Sequence, residues 1–348
     1  MPLPLIDDAP YSAPLWLPGG HLQTIYPAVC VSKPAVAFRR ERWQAPDGDF
    51  VDVDLVDGQP GQPFVVLFHG LEGSSNSHYA RALMREVAAR GWSGAVPHFR
   101  GCSGEANLAP RFYHSGDAQE VDWVLRRLRP RASGKFYAAG VSLGGNALLC
   151  WLGQSQHQAD FVDAAAAVSA PLDLAQGGKA LSSGANRLYT RMFLNTLKPK
   201  CLAKLEQFPG LFARNAMLAA RDLHAFDNVV TAPLHGYRDA DDYWHRASAK
   251  HVLHDITVPT LVLNAQNDPF LPGRFLPRSA APNVTLEYPR HGGHVGFAAG
   301  KLPGSIEWLP RRLLSFFSFV ADGSAAPSSP QSCHADSAHT HPENALHG

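Results

Sequence analysis

A chain of 348 residues, 45% hydrophobic and 18% charged, holds enough apolar material for one large core, and mixed α/β domains of this size commonly run as one unit. A formal net charge of +1 excludes the strong field of a nucleic-acid binder or of a protein drawn to anionic membrane, so no nucleic-acid partner is expected. Five scattered cysteines (Cys30, Cys102, Cys150, Cys201, Cys333) with no Cys-x-x-Cys pair argue against a disulfide framework or zinc ribbon and fit a reducing cytoplasm.

Met1–Asp8 lacks the basic n-region and long apolar h-region of a signal peptide, and no apolar run is long enough for a transmembrane helix. No integral membrane segment is therefore expected. Residues 1–45 are rich in proline and aromatic residues and read as an extended arm, because X-Pro steps favour extended backbone. Phe50–Val56 alternates apolar and polar, the period of a half-buried strand, whereas Phe64–Phe68 is a continuous apolar run, the mark of a strand covered on both faces. That run ends in the small-residue loop His69–Ser75. Tyr79–Arg90 has apolar residues at helical spacing and stops at Gly91, a C-cap residue. Trp92–Phe99 supplies the next strand, and Asp117–Leu128 a helix with Val121, Val124, Leu125 and Leu128 on one stripe.

Lys135–Ala139 then leads into Gly140-Val141-Ser142-Leu143-Gly144-Gly145, followed by the helix-forming Asn146–Leu152. Strand, Gly-x-Ser-x-Gly and helix are the context of a nucleophile elbow, which holds a serine on a strained turn above a helix N-terminus. Ala164–Val168 is a further strand. Alternating strands and helices predict an α/β fold with a mostly parallel twisted sheet and helices on both faces. The alternation lapses over residues 172–251, where helical segments at Asn186–Leu197 and Leu202–Leu223 precede an aromatic-rich stretch. An insertion between late strands reads as a cap over the working end of the sheet. Its basic residues (Lys179, Arg187, Arg191, Lys198, Lys200, Lys204) read as a solvated helix face. Strands resume at Thr260–Asn264 and Val284–Tyr288, then a helix at Ile306–Phe317. The α/β domain is thus expected over residues 46–320, and the Ala/Ser/Pro/His-rich residues 321–348 as a disordered tail. Cys333, His334, His339, His341 and His347 in that tail are metal-ligating types, but nothing there fixes a coordination geometry, and no metal site is expected.

A serine hydroxyl needs a base to take its proton, and the base needs an orienting carboxylate; here the chain order is serine, acid, histidine. Asp268 is the only carboxylate of Asn264–Phe270, the loop directly after the Thr260 strand. Asp255 precedes that strand, and Asp241 and Asp242 fall in the insertion. The histidine belongs to the loop after the last strand, which offers His291 and His294 among glycines. Two backbone N–H donors are required for an oxyanion. Leu143, after the nucleophile, gives one; Leu71, in the loop after the early strand, gives the second, with Glu72 the alternative. His69 and Gly70 shape that loop and are not expected to transfer protons.

From Pro14 to about Phe317 the chain resembles the YheT-like branch of the α/β-hydrolases, which includes bacterial hydrolases and eukaryotic α/β-hydrolase-domain lipases. The resemblance rests on His21–Pro27, His69–Ser74, Phe99–Gly104, Gly140–Gly145, Asn267–Phe270 and Gly292–Phe297. It implies that the histidine of Gly-Gly-His-x-Gly-Phe, His294, is the base in preference to His291. It also favours Asp268; relatives often carry Asp-Asp-Pro there, and Asn267 replaces the first Asp and removes a rival acid. It implies carboxylic-ester hydrolysis, with acylglycerol or phospholipid substrates in eukaryotic members. The expectation is a serine esterase for short- to medium-chain acyl esters: Ser142 as nucleophile, His294 as base, Asp268 as orienting acid, no metal and no organic cofactor. Transfer of the acyl group to an alcohol or thiol by the same triad, or a silent binding protein on this fold, are the alternatives.

Overall fold

The computed structural model describes residues 11–322. The tail expected to be disordered, with its cysteine and histidines, therefore lies from residue 323 onward outside the described residues. The elements, in chain order, are α1 (Gly20–Val29), β1 (Arg39–Gln44), β2 (Phe50–Val56), β3 (Phe64–Phe68), α2 (His78–Ala89), β4 (Ser93–Pro97), α3 (Ala118–Leu128), β5 (Phe136–Val141), α4 (Leu143–Ser155) and β6 (Ala164–Val168). Helices α5 (Leu174–Leu181), α6 (Arg187–Gln207), α7 (Arg214–Ala219), α8 (Leu223–Val229), α9 (Thr231–Leu234) and α10 (Ala240–Arg246) follow, then β7 (Thr260–Leu263), β8 (Val284–Glu287) and α11 (Trp308–Ala321).

The eight strands form one sheet in the order β1-β2-β4-β3-β5-β6-β7-β8. Pairs β1–β2 and β2–β4 are antiparallel and the rest parallel. β3, β5 and β6 are buried along their whole length because helices cover both faces. On one face Val66, Phe68 and Ala138 pack with Val124, Leu125 and Leu148 of α3 and α4. On the other, Val65, Tyr137 and Ala139 pack with Leu83 of α2 and Leu313 and Phe317 of α11. β6 is Ala-Ala-Ala-Ala-Val, a poor strand former by intrinsic preference; burial on both faces and pairing on both edges override that preference. The parallel register aligns Phe68 with Gly140, Val141 with Val168, and Val168 with Leu263. The loops after β3, β5, β6, β7 and β8 consequently open at one edge of the sheet, where open α/β sheets bind ligands.

Several elements differ from the sequence reading. The stretch expected as an extended arm contains α1, which runs through Pro27, and β1, which pairs with β2. Proline removes one helical N–H bond but does not end a helix that tertiary contacts hold. Second, β2 is buried throughout, not on one face, despite Asp52 and Asp54. Register places Arg42 opposite Asp52 and Arg40 opposite Asp54, and each arginine donates two hydrogen bonds of 2.7–2.9 Å to its aspartate. Bidentate pairing compensates the buried carboxylates, which unpaired would cost about 3–5 kcal/mol each. Third, α6 continues through Pro199, where the sequence reading left a gap.

Candidate active site

Ser142 stands between β5 and α4 with φ 54° and ψ −121°, a conformation costly for a non-glycine residue. Its N–H donates to Val168 O at 2.8 Å, so β6 fixes the turn from below. The turn is tight enough that a Cβ on Gly144 would lie 2.4 Å from His69 O. Only glycine admits so close an approach of α4 to the loop after β3.

The structure brings Ser142, Asp268 and His294 together. His294 Nε2 lies 3.0 Å from Ser142 Oγ, and His294 Nδ1 lies 2.9 Å from Asp268 Oδ2. With the proton on Nδ1, that N–H donates to the carboxylate and leaves Nε2 free to accept from Ser142. The other Asp268 oxygen accepts the Phe270 N–H at 2.8 Å. Phe270 stacks on the imidazole, with ring centroids 3.9 Å apart and an interplanar angle of 19°. His291 is exposed, and among the described residues its one hydrogen-bond contact is from its Nδ1 to the Asn267 side chain, at 3.5 Å.

The histidine loop is held by residues to which sequence reasoning assigned no part in positioning it. Gln23 Oε1 accepts from Gly292 N–H at 2.9 Å and Thr24 Oγ1 from His294 N–H at 2.8 Å. Asn267 bridges the two loops: its Oδ1 accepts from Gly293 N–H at 3.0 Å and its amide donates to Gln23 at 2.8 Å. Ser169 Oγ accepts from Val295 N–H at 3.0 Å. A Cβ on Gly296 would lie 1.7 Å from Gln23 O, which shows how closely the loop rides on α1. The available signal was the His21–Pro27 motif, whose Gln23 and Thr24 fall on one turn of α1.

Among the described residues, the N–H groups of Leu71 and Leu143 have no hydrogen-bond partner. Glu72 N–H is occupied: it donates to Tyr113 Oη at 2.8 Å. His69 is fully buried; burial drives its pKa down to about 3, so the ring is neutral. Its Nδ1–H donates to Gly70 O at 2.8 Å and its Nε2 accepts Phe99 N–H at 3.0 Å, which shapes the loop that carries Leu71.

Ser142 and His294 open into a cavity of about 140 Å³ bounded by both the sheet edge and the inserted helices. Leu174, Leu181, Phe193, Leu197, Phe226 and Val230 make its wall predominantly apolar. The insertion's basic residues do not form one solvated face. Lys179, Arg187 and Arg191 are exposed, but Lys204 is buried against Asn107 O and Gln207, Lys198 caps the carbonyls of Leu218 and Ala220, and Lys200 pairs with Glu72.

Asp227, on α8, also borders this cavity. It accepts hydrogen bonds from Trp244 Nε1 at 2.7 Å and Thr231 Oγ1 at 2.6 Å, yet desolvation lifts its carboxyl from 3.8 to about 6. A carboxyl whose folded value is raised contributes stability below its ordinary pKa and loses it as pH climbs through the folded value. Asp227→Asn keeps an acceptor for Trp244 and reverses the Thr231 bond, the amide NH₂ now donating to Thr231 Oγ1, while removing the charge. The variant is expected to gain up to about 3 kcal/mol over wild type at pH 8, less where cavity water screens the charge, and nothing below pH 4. Thermal melts at the two pH values check this; a loss of stability at pH 8 contradicts it.

The chain belongs to the α/β-hydrolase family, whose model, described as alpha/beta hydrolase fold, matches residues 63–300. Within the family it falls in the YheT-like branch. It is 41% identical over 302 residues to the candidate esterase YheT of Escherichia coli strain K12, covering 84% of this chain and 88% of YheT. Phospholipase ABHD3 of Mus musculus is 29% identical over 326 residues, covering 90% of this chain and 79% of its own. Among solved structures, the Pyrococcus furiosus esterase Pf2001 superimposes with a TM-score of 0.53 at 13% identity, over 83% of this chain and 97% of that one, a likeness of fold. No helix among the described residues is long and apolar enough to cross a membrane.

Proposed function

We propose that the protein is a serine carboxylic-ester hydrolase that works through an acyl-enzyme on short- to medium-chain acyl esters, in the reducing cytoplasm. The observation that carries this reading is the hydrogen-bonded line Ser142–His294–Asp268 at the mouth of an apolar cavity. Ser142 Oγ attacks the ester carbonyl while His294 Nε2 takes its proton. Asp268 holds the proton on Nδ1 and stabilises the imidazolium that forms. The unpartnered N–H groups of Leu71 and Leu143 receive the oxyanion, and the N-terminus of α4 beneath Ser142 adds its dipole. His294 then gives its proton to the departing alcohol, and takes one from the water that releases the acid. The names of the relatives, phospholipase ABHD3 and a yeast monoacylglycerol lipase 29% identical over 296 residues, support an ester substrate with an acyl chain.

The test is a p-nitrophenyl ester series from acetate to palmitate, run beside fluorophosphonate labelling. Turnover that peaks at short to medium chains, with the label on Ser142, is expected. A label elsewhere or none removes the assigned nucleophile; a labelled protein that turns over esters only when an alcohol or thiol acceptor is added is an acyltransferase.

A further inference from the structure

Behind the apolar cavity at Ser142 lies a second one of about 340 Å³, and the two have Glu72, Phe112 and Lys200 in common. These three side chains form the boundary that the two cavities share. We propose that the Glu72–Lys200 ion pair is a gate between the two cavities, and that the second cavity receives the distal part of acyl chains too long for the first. This inference rests on the esterase reading above.

Each leaf of the wall has a different mobility. Glu72 is fixed on the sheet side: its N–H donates to Tyr113 Oη, and its carboxylate accepts from the same hydroxyl at 3.0 Å. Its side chain is 11% exposed. Lys200 is the movable leaf. Its Nζ meets Glu72 at 2.8 Å, and with its side chain 35% exposed the ammonium can exchange Glu72 for water. Lys200 also follows Pro199 in the interior of α6, where the missing N–H leaves a carbonyl of the preceding turn without its helical partner. Local adjustment of α6 at that point moves Lys200 without disturbing the triad, which stands on other elements.

The second cavity suits a hydrocarbon tail. Phe112, Cys102, Ala106 and Ala203 contribute to its lining beside the polar Ser74, Glu105 and Asn107, with Ala106 and Ala203 exposed at its mouth. The Lys204 ammonium is already satisfied by Asn107 O and Gln207. Nor is Cys102 a reactive group there, because burial pushes its thiol up to about 12. The first cavity, closed at Lys200, sets the preference for shorter chains, and a longer chain must displace Lys200.

The experiment compares wild type, Lys200→Ala and the double variant Lys200→Ala/Ala203→Trp on p-nitrophenyl butyrate and palmitate. Removing the gate is expected to raise the palmitate-to-butyrate ratio of kcat/KM at least tenfold. Ala203→Trp, which fills the second cavity, is expected to return the ratio of the double variant to near the wild-type value. A ratio unchanged in Lys200→Ala overturns the gate. A raised ratio that survives Ala203→Trp overturns the second cavity as the destination, because general loosening of α6 would give that result. In both cases Ser142-dependent turnover of butyrate leaves the esterase reading standing. Wild type inactive on every ester removes that reading and this inference together.

Discussion

Ser142→Ala is expected to lower kcat for p-nitrophenyl esters by about 10⁶-fold, with a melting temperature close to that of wild type. The size follows from how the group acts. Removing the nucleophile removes the acyl-enzyme route entirely, and what remains is the modest acceleration that bound ester gains from the oxyanion donors and proximity. Retention of the fold follows from what Ser142 contributes to it. The turn is fixed by its backbone N–H on Val168 O, which alanine keeps, and the positive φ is no harder for alanine than for serine. The hydroxyl's one recorded partner is His294 Nε2, which faces the cavity and can take a water instead. Steady-state rates, melting curves and loss of fluorophosphonate labelling check the expectation together. A folded variant that keeps more than about one per cent of wild-type kcat would show that another group attacks the ester.

How much of this was legible beforehand varied with the kind of interaction. β3 and β6 were readable because strands buried on both faces are continuous apolar runs, and β6 matched its observed span, Ala164–Val168. Ser142, Asp268 and His294 could be named because each follows a strand, and a parallel register carries every such loop to one edge. The choice of His294 over His291 came only through family resemblance, since both are glycine-flanked and in the same loop. Leu71 and Glu72 were left open for a physical reason: what separates them is Tyr113 Oη occupying the Glu72 N–H, a contact between residues 41 apart in sequence. The same blindness to distant partners explains the errors. Asp52 and Asp54 signalled a wet face until Arg42 and Arg40 appeared opposite them. Lys204 looked like part of a solvated face until its ammonium was found on Asn107 O, 97 residues away. Proline misled at Pro27, because local preference for extended backbone is weaker than the contacts that hold α1 on the histidine loop, and α6 likewise runs on through Pro199 over the cavity.

Asp268→Asn is expected to reduce kcat by about 10⁴-fold at neutral pH while changing KM little, and the direction of the amide decides why. One oxygen of Asp268 accepts the Phe270 N–H at 2.8 Å, so the asparagine carbonyl must take that position or leave a buried N–H unpaired. The amide NH₂ then occupies the site that faces His294 Nδ1 at 2.9 Å. An NH₂ there donates, so Nδ1 must accept and the ring proton moves to Nε2. Nε2 now points an N–H at Ser142 and has no lone pair for the hydroxyl proton. The carboxylate charge that would stabilise the imidazolium is lost in the same substitution. Geometry should survive both changes, because Asp268 is 1% exposed and asparagine has nearly the same shape. The measurement is steady-state kinetics on the butyrate ester with a melting curve for the same preparation. Activity within tenfold of wild type in a folded Asp268→Asn protein would mean that some other group sets the tautomer of His294. Asn267, the adjacent side chain in this loop, cannot be that group while it bridges Gln23 and Gly293.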